Sequence, residues 1–351
     1  MSGSSFGKAF NITTFGESHG PAIGVVIQGC PPGLKIDENR IQMALDKRKP
    51  GQGVSSTKRK EPDHPIILSG MFKGQTTGTP IMILIENKDA KSKSYDQIAA
   101  LFRPGHGDYT YQAKYGIRDF RGGGRASARE TAARVAAGAV AQAVLDQQGI
   151  QIDNYTLELG GIRAQRIENM SDKYTNALLC PDMEAAHEME QKILSVKKQG
   201  DSLGGVVEII ASNVPAGLGD PVFDKLDADI AKALMSIGAV KAVEIGAGIR
   251  AAQMTGSENN DPILPDGFRT NHSGGILAGI SNGEDIIARV HVKPIPSILK
   301  PQKTVDENGH PAEISTEGRH DICAIPRINM VCEAMMAIVL TDHLLRQKTL
   351  G

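Results

Sequence analysis

Strands and helices interleave from end to end of the 351-residue chain, no low-complexity linker interrupts it, and 40% of the residues are hydrophobic. Together these predict an α+β layered fold forming one domain over residues 1–351. Val- and Ile-rich runs closed by Gly, Pro or Asn predict strands at 23–28, 81–86, 206–211, 240–245 and 286–292. A first helix begins at Asp37, whose carboxylate can cap it, and carries Ile41, Ala44 and Leu45 on one face. A second begins at Ser127, where Ser127 and Glu130 form the S-x-x-E capping pattern of an Ala-rich helix reaching towards Gly149. Further helices start near Asp182 and Asp224, and the last runs from about Ile328 to Gln347. The stretches 47–62, 103–125 and 259–273 read as long loops, which in a domain of this size carry function.

Composition excludes several classes. Lys+Arg 39 against Asp+Glu 40 gives a net charge of -1, so no global field draws nucleic acid or an anionic membrane. No uninterrupted run approaches the roughly 18 apolar residues of a membrane span, and the first twenty residues lack the apolar core of a secretory signal. A soluble, cytoplasmic protein is the expectation. The four cysteines, Cys30, Cys180, Cys323 and Cys332, form no CxxC pair and predict reduced thiols with no metal site.

Positive charge is concentrated locally. Between Arg40 and Lys60 stand seven cations (Arg40, Lys47, Arg48, Lys49, Lys58, Arg59, Lys60) and one acid, Asp46. The segment has no Phe, Tyr or Trp to stack bases, which argues against single-stranded nucleic acid as its ligand. A second cluster holds Arg103, Lys114, Arg118, Arg121, Arg125, Arg129 and Arg134 against Asp108, Asp119 and Glu130. Within it, Gly122, Gly123 and Gly124 precede the Ser127 helix start, where the backbone can approach an anion closely and the helix offers N–H groups. The alternative is an ordinary capped helix after a flexible turn.

Two histidines lie among glycines, His19 in GESHG and His106 in RPGHGD, where no adjacent side chain packs the ring. That suits a proton donor facing a ligand. Near the C-terminus, Arg319, His320 and Asp321 place a carboxylate among cations. Several catalytic templates fail: HEMEQ at His187 is not HExxH, no GxSxG is present, and Cys323 fits a buried thiol better than a nucleophile. Gly246, Gly248 and Ala251 match the G-x-G-x-x-A dinucleotide pattern, but GSENNDPILPDG follows too soon to continue the helix that pattern needs.

GESHG at 16–20, RPGHGDYTY at 103–111, GGGRASARET at 122–131 and GRHDICAIPR at 318–327, in that order, resemble the motifs of the chorismate synthase family. SGGILAGISNGEDI from Ser273 and VKPIPSI from Val292 extend the resemblance over nearly the whole chain. It implies a βαβ sandwich assembled as a homotetramer. It further implies a lyase that takes 5-enolpyruvylshikimate 3-phosphate to chorismate and phosphate by 1,4-anti elimination, the last common step towards the aromatic amino acids. Reduced FMN is required without net redox change. Two carboxylates and two phosphates then share one pocket, each phosphate carrying nearly two charges, a load that only dense cation clusters offset.

Carried over by motif, the resemblance implies His19 as the acid that assists the departing phosphate, His106 as the residue protonating the reduced flavin, and Asp321 as the base at flavin N5. Arg48, Arg103, Arg129 and Arg319 match substrate or flavin anion ligands. Flavin contacts match Arg125, Ala126, Ser127, Gly238, Ala239, Ala278, then Lys293, Pro294, Ile295, Pro296 and Ser297, and Arg319. The chain departs from the family pattern at Val54, where many bacterial members have Arg; at Gly238, often Asn; at Ala278, often Gly; and at Ile322, usually Pro. Val54 argues for an external flavin reductase over an NADPH-dependent activity of the chain itself. A non-catalytic sensor of an anionic metabolite is the reading from a different class.

Overall fold

A computed structural model describes residues 3–49, 61–89, 99–316 and 321–349. Alternation drives the first sheet: Ile81, Ile83 and Ile85 of one strand are buried while Met82 and Leu84 between them are half-buried. They register with Ile27, Val25 and Ile23 of the neighbouring strand, so one apolar face is laid down pair by pair. This sheet has the order β1 (Ser5–Phe6), β2 (Asn11–Gly16), β3 (Ala22–Gln28), β7 (Ile81–Glu86), β4 (Pro65–Ile67). The second has the order β11 (Val240–Ile245), β16 (Ile286–Val292), β10 (Gly205–Ser212), β8 (Gln151–Leu159), β9 (Ile162–Arg163). All described pairings within both sheets are antiparallel. Four small hairpins decorate them: β5 (Met71–Phe72) with β6 (Gln75–Thr76), β12 (Ile263–Leu264) with β13 (Gly267–Phe268), β14 (Ile276–Leu277) with β15 (Ile280–Ser281), and β17 (Gln302–Val305) with β18 (Pro311–Ile314).

The helices are α1 (Glu38–Arg48), α2 (Asp108–Tyr115), α3 (Thr131–Asp146), α4 (Met183–Lys198), α5 (Leu226–Met235), α6 (Gly256–Asn259) and α7 (Ile325–Gln347). α3 lies on β3 and β7, α7 lies on β8 and β10, and the two helices pack on each other. The layers therefore run sheet, helices, sheet, the α+β sandwich expected. α7 has the length and composition of a membrane span, yet 89% of its apolar window is buried inside the protein. A helix apolar on all sides needs such a central place. Its polar residues Asn329, Glu333, Thr341, Asp342 and His343 break any uninterrupted apolar run in the sequence.

Asp342 near the end of α7 accepts the backbone N–H groups of Lys8, Ala9 and Phe10 at 2.8, 2.6 and 2.8 Å. The chain's first strands are thereby tied to its last helix. Where α3 crosses α7, Gly138 has no room for a side chain, since a Cβ there would stand 2.6 Å from Ala334 Cα. Ala has better helix propensity than Gly by about 1 kcal/mol, but overpacking a tight crossing costs about 1–3 kcal/mol. Gly138→Ala is therefore expected to lower the thermal midpoint; an unchanged or raised midpoint would show that the helices separate freely.

Three expectations are revised. α3 begins at Thr131, preceded by 3-10 turns at Gly124–Ala126 and Ala128–Glu130, so the Ser127 capping box does not form. Ser127 Oγ accepts from Arg129 N, while the Glu130 carboxylate is taken by Thr14 and Arg134. The 103–125 stretch contains α2, and 259–273 contains the β12/β13 hairpin. The weak dinucleotide pattern falls on the end of β11 and a 3-10 segment, Gly248–Gln253.

Candidate active site

Three consecutive glycines set the centre. Gly122, Gly123 and Gly124 have φ of 64°, 90° and 52°, the left-handed region that favours glycine. A Cβ on Gly122 would lie 2.6 Å from His19 Nδ1, one on Gly123 2.9 Å from His106 Cε1, and one on Gly124 2.5 Å from Glu17 Oε2. The turn is a cradle on which two imidazoles and a carboxylate converge from separate parts of the chain. Arg125 fixes it against β2 by donating to the carbonyl oxygens of Gly16 and Thr14 at 3.1 Å each. Burial raises the Glu17 carboxyl above its ordinary range, against the lowering effect of Arg125.

The free N–H groups expected here are largely used. Ala126 N bonds Gly123 O at 2.8 Å, Ser127 N bonds Gly124 O at 3.3 Å, and Glu130 N bonds Ser127 O at 3.1 Å. Anion attraction must come chiefly from side chains.

His106 is held at Nδ1 by Asp108 Oδ1 at 3.0 Å. With Nδ1–H donating, Nε2 is left towards Gly123 for proton exchange. Asp108 also takes Arg103 through Nε at 2.7 Å and Nη2 at 2.8 Å, with Arg118 at 3.6 Å. Burial pushes the Asp108 carboxyl up, but its bonds from Arg103 and His106 outweigh this and hold it well below the usual carboxylate range. Lys293 Nζ donates to Gly105 O at 2.6 Å and Lys293 N to Ala239 O at 2.9 Å, and Pro296 sits against Gly105. The 293–297 run and Ala239 are thereby brought onto the His106 turn.

Behind the cradle Arg48 and Arg129 clasp one carboxylate. Asp63, fully buried, accepts Arg48 Nη2 at 2.7 Å on Oδ2 and Arg129 Nη1 on Oδ1. Arg129 also donates to Asn87 Oδ1 at 2.8 Å. Burial pushes Arg48 down to about 10, partly offset by Asp63, and among the described residues its buried Nε has no hydrogen-bond partner. The guanidiniums of Arg125, on the cradle, and of Arg48 and Arg129 behind it are the donor type that an anionic ligand calls for. Asp321 lies at the start of α7, bound by Arg327 Nη2 at 2.7 Å to Oδ1 and 2.6 Å to Oδ2, and Arg327 is close enough to act on Arg48 electrostatically.

The structure thus gathers His19, His106, Arg103, the 125–127 turn, Ala239 and Lys293 in one place, with Arg48, Arg129 and Asp321 adjoining. Ala278 is elsewhere. It stands in the β14/β15 turn beside the N-terminal end of α5, whereas Gly238 and Ala239 follow its C-terminal end, about 15 Å along a ten-residue helix. Ala239 and Ala278 have φ of 74° and 50°, a conformation that costs a non-glycine residue on the order of 1 kcal/mol and collects at ligand sites. Arg319, His320, Val54, Lys58, Arg59 and Lys60 lie outside the described residues. All four cysteines are free and buried, and burial pushes Cys323 up to about 12, as suits an inert thiol.

Sequence reasoning missed Asp63, Asn87 and Arg327. Asp63 and Asn87 are far from the cations they pair with, and the only signal for them was the excess of arginine that burial must offset.

One imidazole held by a carboxylate and a second beside it share a backbone cradle with guanidiniums behind, an arrangement suited to an enzyme acting on an anionic small molecule. The family model described as chorismate synthase matches residues 10–345. The chain belongs to the chorismate synthase family, whose members are carbon–oxygen lyases of aromatic amino-acid biosynthesis. It is 64% identical to the chorismate synthase of Desulfosudis oleivorans, covering 100% of this chain and 99% of that one. It is 63% identical to that of Desulfatibacillum aliphaticivorans, over 99% and 97% of the two chains. A crystal structure titled chorismate synthase superposes with a TM-score of 0.77 at 34% identity, over 97% of this chain and 93% of that one.

Proposed function

We propose that the protein converts 5-enolpyruvylshikimate 3-phosphate to chorismate and inorganic phosphate by 1,4-anti elimination, dependent on reduced FMN. The observation that carries this is the glycine turn on which His19 and His106 converge, with Arg48 and Arg129 paired behind it. One ring C–H bond and one C–O bond break, a C=C bond forms, and the phosphate leaves. His19 gives the departing phosphate its proton, and Asp321 is the base at the flavin N5 position, so that over a turnover the proton lost from the ring carbon is balanced by one gained on Asp321. His106, oriented by Asp108, holds a proton at Nε2 for the flavin. Reduced FMN, when bound, supplies electron density that eases departure of phosphate and recovers it afterwards. The residues that would hold the flavin are Arg125 to Ser127, Gly238, Ala239, Lys293 to Ser297 and Arg319; Arg48, Arg103, Arg129 and Arg319 would hold the substrate's carboxylates and phosphate. Buried paired charges tolerate such a load where isolated ones do not.

The enzyme is taken to work in the cytoplasm as a homotetramer, with a separate reductase supplying reduced flavin. Anaerobic phosphate release from 5-enolpyruvylshikimate 3-phosphate, measured with chemically reduced FMN and then with oxidised FMN plus NADPH, tests this. Release with reduced FMN alone is expected. Release with NADPH would assign flavin reduction to the chain itself, and release in neither would overturn the lyase reading in favour of a metabolite sensor.

A further inference from the structure

The elimination leaves a proton imbalance inside the protein. His19 ends each turnover one proton short and Asp321 one proton in excess, although the overall reaction neither gains nor releases a proton. Before a second turnover Asp321 must discharge its proton. Its side chain is only 10% exposed and both its oxygens face Arg327, so the discharge needs a route.

A cavity of about 300 Å³ opens beside Asp321, room for on the order of ten water molecules at about 30 Å³ each. Its walls include the face of α7 that carries Arg327, Met330 and Glu333, and it reaches solvent at Lys47 and at Tyr174, which is 66% exposed. Glu333 accepts Asn154 Nδ2 at 2.6 Å. Asn154 is 2% exposed and lines the same cavity, and its Oδ1 has no hydrogen-bond partner among the described residues. Through its amide N–H, Asn154 holds the Glu333 carboxylate at the cavity wall. Lys173, bonded to Asn154 O at 2.6 Å and to the Asp153 carboxylate, fixes that wall.

We propose that this cavity is the proton exit of the enzyme, with Glu333, held by Asn154, relaying protons between Asp321 and solvent through water in the cavity. Asp321 and Glu333 line the same cavity, so water filling it can connect the two carboxylates. The charged groups around Glu333 are Asp46 and Lys47 from α1 and Lys49 just after it, Asp153 and Lys173 from the opposite wall, and Asp321 with Arg327 at the head of α7. Burial outweighs the lowering effects of Lys47, Asn154 and Lys173 and raises the carboxyl above its ordinary range, which brings it nearer to neutral pH, where a relay works best. The proposal rests on Asp321 being the proton acceptor of the reaction.

Rapid-mix phosphate release separates a relay from a merely structural residue, because a relay acts only after the first turnover. Glu333→Gln is expected to give one phosphate per site at the parent rate, then a steady state slower by on the order of tenfold to a hundredfold. In Glu333→Ala, small carboxylic-acid buffers are expected to restore the steady state in proportion to their concentration, with KM unchanged. In the protein without flavin, the Glu333 side-chain carbon resonance, assigned by its loss in Glu333→Gln, is expected to titrate above the ordinary glutamate value. A parent-like steady state, equal slowing of burst and steady state without buffer response, or titration at or below the ordinary value would each overturn the relay. Asp321→Asn separates the two levels: full turnover in that variant sinks the acceptor reading itself, whatever Glu333 does.

Discussion

Asp63→Asn should destabilise the protein by about 3–5 kcal/mol, the cost of leaving buried charges without their partner. Asp63 is the carboxylate shared by Arg48 and Arg129, which are 1% and 5% exposed. Without it, two guanidiniums face each other in a water-poor site where the carboxylate left near them is Glu61, 3.9 Å from Arg129 and beyond hydrogen-bond distance. Asn keeps the shape and one acceptor, so lost charge rather than lost volume accounts for the effect. Denaturant unfolding of parent and variant checks it; a difference below about 1 kcal/mol, the range of exposed ion pairs, would mean that the pair is solvated in solution. The sign with pH follows. Burial raises the Asp63 carboxyl, but Arg48 and Arg129 outweigh it and hold the group below its ordinary value of 3.8. The stabilisation is therefore complete above that value and is lost as pH falls below it. Asp63→Asn should lack this part of the parent's acid sensitivity.

His106→Ala is expected to retain substrate binding and lose turnover by on the order of a hundredfold or more, the usual weight of a positioned acid or base. The side chain is half-buried and contributes one hydrogen bond, to Asp108, which keeps Arg103 as its main partner. Folding and the anion-binding cluster should survive, so KM should change little while kcat falls. Steady-state phosphate release with reduced FMN, beside calorimetric titration of the substrate, separates the two quantities. Parent-like kcat would remove His106 from the proton chemistry.

The strands that alternate or run continuously in Val and Ile were legible because burial on one or both faces writes that pattern. β2, with Thr13 and Thr14 inside NITTFG, and β8, QIDNYTLEL, were not: their buried positions include Thr14, Asn154 and Thr156, polar groups whose side-chain partners come from distant parts of the chain. At the site, glycine runs and isolated histidines stood out because their local context makes little sense otherwise. Their partners did not stand out. Asp63 meets Arg129 across 66 residues and Asn154 meets Glu333 across 179, and no local spacing rule reaches that far. The Ser127 capping pattern failed for a related reason, since Glu130 finds better partners in Thr14 and Arg134 than in the backbone it was expected to cap.

The clasp between Asp342 and the N–H groups of Lys8, Ala9 and Phe10 closes a loop of more than 330 residues. On a ribosome that adds about 5–20 residues per second, the first strand emerges long before its anchor exists. Until α7 is released the second sheet lacks the helix that covers its apolar face and α3 lacks the partner it packs on, so Val207 and Ile209 stay available to other chains. Synthesis thus leaves a nascent chain whose beginning must wait for its end, a state that favours chaperone holding and makes even short C-terminal truncation a folding defect rather than a trimmed surface.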